Sequence, residues 1–159
     1  MRLAAALLLF VVWEISAASA IDGRVVAVLD GDTVTLVDRN NLQHRIRLSQ
    51  IDAPEIGHGK RNPGQPFSKA SKQSLSDLIY GREVRADCET KDKYGRQVCA
   101  IWMGQMNVNL EQVRRGMAWV YRKYARDPSY YQAEEESKRT GRGLWSHTDA
   151  IPPWEWRHR

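Results

Sequence analysis

The tightest constraint on the fold is a run of short period-two segments between residues 24 and 48. Val25, Val26 and Val28 precede the turn Asp30-Gly31-Asp32, and Val34, Leu36 and Val37 alternate with polar residues up to a second turn, Asp38-Arg39-Asn40-Asn41. In His44-Arg45-Ile46-Arg47-Leu48 the alternation is strict, so in a strand Ile46 and Leu48 share one face while Arg45 and Arg47 share the other. An arginine on the mouth-facing side of a barrel is a candidate ligand clamp.

Downstream the rhythm changes. Asn62-Pro63-Gly64-Gln65-Pro66 breaks the chain, after which Leu75, Leu78 and Ile79 recur at helical spacing until Gly81 supplies a stop. Residues 83–88 and 97–102 read as a second strand pair. Asn109 is expected to cap a short helix carrying Leu110, Val113 and Met117, and a third helix is expected from near Ser129 to Gly141. Two groups of strands with helices between and after them predict an α+β fold: a five-stranded OB-type Greek-key β-barrel with three helices. Pro152-Pro153-Trp154-Glu155-Trp156 is expected to be an irregular tail packed on the body by its tryptophans, with base stacking as their other use.

Met1-Arg2, the apolar run from Leu3 to Trp13 and then Ala18-Ser19-Ala20 have the three parts of a secretory signal. The expected organisation is therefore a signal peptide over residues 1–20 and one domain over 21–159, with the mature chain starting near Ile21. The apolar run is too short to cross about 30 Å of hydrocarbon, which needs roughly 20 apolar residues. Glu14 sits awkwardly before the cleavage point, and an uncleaved signal would leave a tethered protein. The expected location is exported, periplasmic or secreted, with no stable membrane insertion after signal removal and a monomer as the default state.

Cys88 and Cys99 are the only cysteines, and an even count after an export signal points to a disulfide across the turn-like residues 89–96; two buried free thiols are the alternative. If those residues form a hairpin, the cross-strand approach can match the Cα separation of about 5.5–6 Å that a disulfide prefers. His44, His58, His147 and His158 are scattered without the spacing of zinc ligands. The formal net charge of +5 favours polyanionic partners without choosing among nucleic acid, anionic lipid and heparin-like sugars.

Three segments carry more specific information: Leu29-Asp30-Gly31-Asp32-Thr33, Arg47-Leu48-Ser49-Gln50-Ile51-Asp52-Ala53-Pro54-Glu55 and Asp92-Lys93-Tyr94-Gly95-Arg96. Their combination and order resemble the staphylococcal nuclease (thermonuclease) family, over about residues 21–145 and including Gly143-Leu144-Trp145. The resemblance implies a Ca²⁺-dependent endonuclease that hydrolyses DNA and RNA, single-stranded preferred, with little sequence preference, leaving 3′-phosphate and 5′-hydroxyl ends. It implies one Ca²⁺ held by Asp32, Asp52 and the main-chain carbonyl of Ala53, where the family usually has threonine, with other divalent metals as alternatives. Asp30 would be an outer-shell residue.

The same resemblance gives Arg47 and Arg96 the transition-state phosphate and Glu55 the role of general base or water-positioning group. Lys93 and Tyr94 would contact a terminal phosphate, and Tyr121 or Tyr124 would flank the groove. The chemistry explains the combination: attack of water on a phosphodiester adds charge to an anion, so the site must supply positive charge, an activated water and usually a metal. Singly, Asp32 and Asp52 also read as turn caps, Arg47 as half of a buried ion pair and Lys93-Tyr94 as hairpin residues. The rival functions are a non-catalytic OB module binding single strands or another polyanion, and a structural envelope protein.

Overall fold

The computed structural model describes residues 19–59 and 63–159; the expected signal segment, apart from Ser19 and Ala20, lies outside the described residues, as does Asn62. Strand β1 (Ser19–Val28) begins two residues ahead of Ile21 and pairs antiparallel with both β2 (Thr33–Asp38) and β5 (Glu83–Lys91). β2 pairs with β3 (Gln43–Leu48), and β5 with β6 (Gln97–Met103). A parallel pairing of β3 with β6 closes the order β3-β2-β1-β5-β6 into a five-stranded barrel. Two-residue strands complete the sheets: β7 (Met106–Asn107) extends β6, and β4 (Ile51–Asp52) pairs with β8 (Trp119–Val120).

The alternation seen in the sequence becomes the barrel interior. Leu36, Ile46, Leu48, Ala86, Cys99 and Ile101 are buried on the inner face. Val25 and Val28 also face inward although they are three residues apart, because a bulge between Val25 and Ala27 inserts an unpaired residue and leaves Val26 39% exposed. Helix α1 (Ser68–Ile79) covers the barrel with Leu75, Leu78 and Ile79, and Gly81, at φ 74°, takes the chain out of it into β5.

The expected helices are present as α1, α2 (Val108–Arg114) and α3 (Pro128–Arg139), and three details are corrected. Asn107, not Asn109, caps α2: its extended backbone lets Oδ1 accept the Leu110 N–H at 3.0 Å. Asn109 is wholly buried instead, accepting from the Ile101 N–H and donating to the carbonyls of Ser49 and Cys99, each at 3.0 Å. Met117 falls past the end of α2, beyond Gly116 at φ 66°. The helix number also rises, through a 3₁₀ turn over Gly143–Ser146 and a short α4 over Pro153–Trp156. The tail expected to be irregular thus forms a turn, because Pro153 presets the first helical φ and the N–H groups of Glu155 and Trp156 both reach the Pro152 carbonyl at 3.0 Å.

Cys88 and Cys99 stand opposite each other on β5 and β6 and form a disulfide. Their Cα atoms are 4.0 Å apart, closer than the expected separation. Reduction is expected to lower stability by somewhat less than about 3 kcal/mol, given the short loop, which urea unfolding with and without reductant measures.

Candidate active site

The loop between β1 and β2 fixes the first carboxylate. Asp30 Oδ1 accepts the Asp32 N–H at 3.0 Å, and the Asp32 carbonyl accepts the Leu48 N–H at 2.8 Å. Gly31 lies so close to α1 that a Cβ there would stand 1.8 Å from Ser71 Oγ, and Gln112 Nε2 bonds the carbonyls of Gly31 (3.0 Å) and Ser71 (3.1 Å). The second carboxylate comes from β4, whose pairing with β8 places Asp52 opposite Trp119 and carries Tyr121 to the same rim. The Ala53 N–H bonds Asp32 Oδ2 at 2.7 Å, joining the two segments.

Arg47 holds these carboxylates together. Its Nη1 lies 2.9 Å from Asp32 Oδ2 and its Nη2 2.9 Å from Asp52 Oδ1, with a side chain only 13% exposed. The parallel closure puts Arg47 opposite Val98, so Arg96, two residues earlier on the same hairpin, reaches the site from the other side. Arg96 is braced by Asp92 (Nε to Oδ2, 2.6 Å) and donates to Thr33 Oγ1 at 3.3 Å.

The cluster carries more negative charge than its burial favours. Burial, reinforced by the neighbouring Asp32 charge, raises the Asp30 carboxyl to about 7. Burial also raises Asp52 to about 6, although Arg157 and Arg47 pull it down. Burial works against the Arg47 charge, yet Asp32, Asp52 and Asp30 outweigh it and raise its pKa.

These residues line a groove of about 1140 Å³ that also takes in Glu55, Lys93, Tyr94 and Tyr121. Tyr94 stands 72% exposed at the hairpin tip, with Lys93 Nζ 5.0 Å from its ring centre and the Arg96 guanidinium 5.5 Å away. Tyr121 packs edge-on against Tyr124, with centroids 5.0 Å apart, and lies parallel to Trp154 at 5.5 Å. The tryptophan tail thus packs on the body, as expected from the sequence, but it does so at the groove.

Sequence reasoning missed Arg157, which ion-pairs with both Asp52 and Glu55, and Gln65, whose Oε1 accepts the Glu55 N–H at 3.1 Å. An arginine after an aromatic pair gave no local signal of either contact.

Residues 45–147 match the family model described as staphylococcal nuclease homologue. A Haemophilus influenzae protein named uncharacterized endonuclease is 41% identical over 86% of this chain and 72% of its own length. The chain belongs to the staphylococcal nuclease family. A Shigella flexneri micrococcal nuclease is 40% identical over 85% of the chain and 79% of the relative, and an Escherichia coli protein named ParB is 38% identical over 99% and 90%. The family and these relatives support a nuclease function for this chain. The matched span contains Arg47, Asp52, Ala53, Glu55, Arg96 and Tyr121, whereas Asp30, Asp32, Trp154 and Arg157 flank it.

The nuclease family is generally Ca²⁺-dependent, and the residues present fit such an ion. Asp32 and Asp52 are hard oxygen donors converging on one guanidinium at the groove. Among the described residues no group of three or more His, Cys, Asp or Glu is arranged to hold a metal, so carbonyl and water oxygens would complete the shell.

The raised pKa of Asp30 carries a stability cost that grows as pH rises: the unfolded chain releases this proton near 3.8 while the folded chain keeps it to about 7. In EDTA, Asp30→Asn is therefore expected to gain stability relative to the unaltered nuclease as pH rises from about 4 to about 7, with no further gain above that. Urea unfolding at pH 4.5, 6 and 7.5, chosen to span roughly this window, tests the sign.

Proposed function

We propose that this nuclease is a Ca²⁺-dependent phosphodiesterase acting on DNA and RNA with little sequence preference, single strands preferred, and leaving 3′-phosphate and 5′-hydroxyl ends. The observation that carries the reading is Arg47, held between Asp32 and Asp52 on the same groove that Arg96 enters from the barrel-closing hairpin.

In this reading Arg47 and Arg96 receive the scissile phosphate. Planar guanidinium groups offer paired N–H donors that match phosphate oxygens and keep their charge at any working pH, so they stabilise the charge that accumulates as water attacks. Glu55 takes the proton of the attacking water or orients it. The bond to the 5′ oxygen then breaks, that oxygen takes up a proton from water and departs as the 5′-hydroxyl, and the phosphate stays on the 3′ side. Asp32, Asp52 and the Ala53 carbonyl would hold Ca²⁺, which supplies charge neutralisation and Lewis acidity when bound. Asp30 supports this shell through its bond to the Asp32 N–H.

Lys93 and Tyr94 at the hairpin tip meet a terminal phosphate, and Tyr121 offers a ring at the base-binding side. The disulfide and the lack, among the described residues, of a helix long and apolar enough to cross a membrane are compatible with export to the periplasm or medium after removal of residues 1–20. A monomer suffices for this reading.

Hydrolysis of heat-denatured DNA and of RNA by the mature chain, with Ca²⁺, with Mg²⁺ and with EDTA, tests it. Cutting is expected with Ca²⁺ and not with EDTA, and Arg47→Ala should lose at least about 10²-fold in rate. Binding of the DNA without any cutting would instead make the chain a non-catalytic OB module.

A further inference from the structure

Arg157 follows α4, far in sequence from the nuclease motifs, yet its guanidinium enters the site. Nη2 lies 2.8 Å from Asp52 Oδ2, Nη1 lies 3.3 Å from Asp52 Oδ1, and Nη1 also donates to Glu55 Oε1. Among the described residues Arg157 is the only side chain bonded to the Glu55 carboxylate.

A second link joins the same tail to the Glu55 backbone. Gln65, 4% exposed, accepts the Glu55 N–H through Oε1 at 3.1 Å, returns its own N–H to the Glu55 carbonyl at 2.8 Å and donates Nε2 to the Ile151 carbonyl at 2.5 Å. The tail itself is anchored: Pro153 is buried and Trp154 lies parallel to Tyr121, tilted by 5°.

We propose that residues 151–157 form a positioning element for Glu55, with Arg157 orienting its carboxylate and Gln65 fixing its backbone to the tail. This rests on the reading of Glu55 as the group that handles the attacking water. The physical argument is that a glutamate side chain has many rotamers and this one is 38% exposed, so its own loop alone leaves the carboxylate spread over many orientations. A buried glutamine and a guanidinium from a separately anchored element remove that freedom, and a misplacement of about 1 Å can cost on the order of 10²-fold in rate. Arg157 acts through Glu55 and is therefore a positioning residue.

The experiment compares the full-length mature enzyme with Arg157→Ala, Arg157→Lys and Gln65→Ala, on heat-denatured DNA at saturating Ca²⁺. Arg157→Ala should lower kcat by about 10- to 10²-fold with KM changed by less than about threefold, and Arg157→Lys should recover part of the loss. Amide hydrogen exchange supplies a readout independent of activity: exchange at Glu55 and Gln65 should quicken in Arg157→Ala and Gln65→Ala, while the buried Ile101 amide stays unchanged. A rise in KM at constant kcat would overturn the proposal, since Arg157 would then touch substrate directly. A rise in kcat would overturn it too, by making the tail a brake. If the unaltered protein cuts and Arg157→Ala cuts equally fast, the positioning role alone falls; if the unaltered protein does not cut at all, the nuclease chemistry assigned to Glu55 falls and takes this role with it.

Discussion

The Arg47 guanidinium, set between Asp32 and Asp52, is the contact on which the rest of the site depends. Each of these carboxylates is nearly sealed from water, and an unpaired buried carboxylate costs several kcal/mol. One planar cation satisfies both, and its remaining contact, from Nη1 to the Leu48 carbonyl at 3.0 Å, fixes it on its own strand. Asp30 adds a third acid nearby and Arg157 a second cation on Asp52, and burial still leaves Asp30 and Asp52 with raised pKa values. That residual field is what a divalent cation would answer.

The barrel explains why these groups meet. A strand alternating strictly between apolar and basic residues can bury one face only if the other looks outward, which sends Ile46 and Leu48 into the core and Arg47 to the mouth. Closing the barrel through a parallel β3–β6 pair brings the Arg96 hairpin beside Arg47, a juxtaposition that hairpins alone cannot make. The small β4–β8 pair is held from behind by buried Glu134, which accepts the Val120 N–H at 2.9 Å and is neutralised by Arg122 and Lys138. Through that strand Glu134 sets the place of Tyr121, and through Tyr121 the seat of Trp154.

Much of the molecule was legible because local periodicity reflects a local cause. The barrel strands, α1 and α3 follow from apolar spacing and stop signals, and the cysteine pairing follows from a hairpin that puts the two residues in register. Where two neighbouring residues competed for one role, pattern reading chose wrongly. Asn107 and Asn109 are chemically identical, and only the direct passage from β7 into α2 decides that the first caps the helix while the second enters the core. The bulge at Val26 was equally hidden, since a run of valines reads the same with or without an extra residue.

The sequence by itself determined the element types, the barrel class and the set of charged residues carried by the three motifs, because each depends on spacing within a few residues. Tertiary structure alone decided how those charges are shared. Arg47 lies 5 residues from Asp52, whereas Arg157 lies 102 from Glu55, and no periodicity links positions so far apart. Their contact arises from the packing of a tryptophan on a tyrosine and of a buried proline on the body, interactions that act only once the barrel has closed.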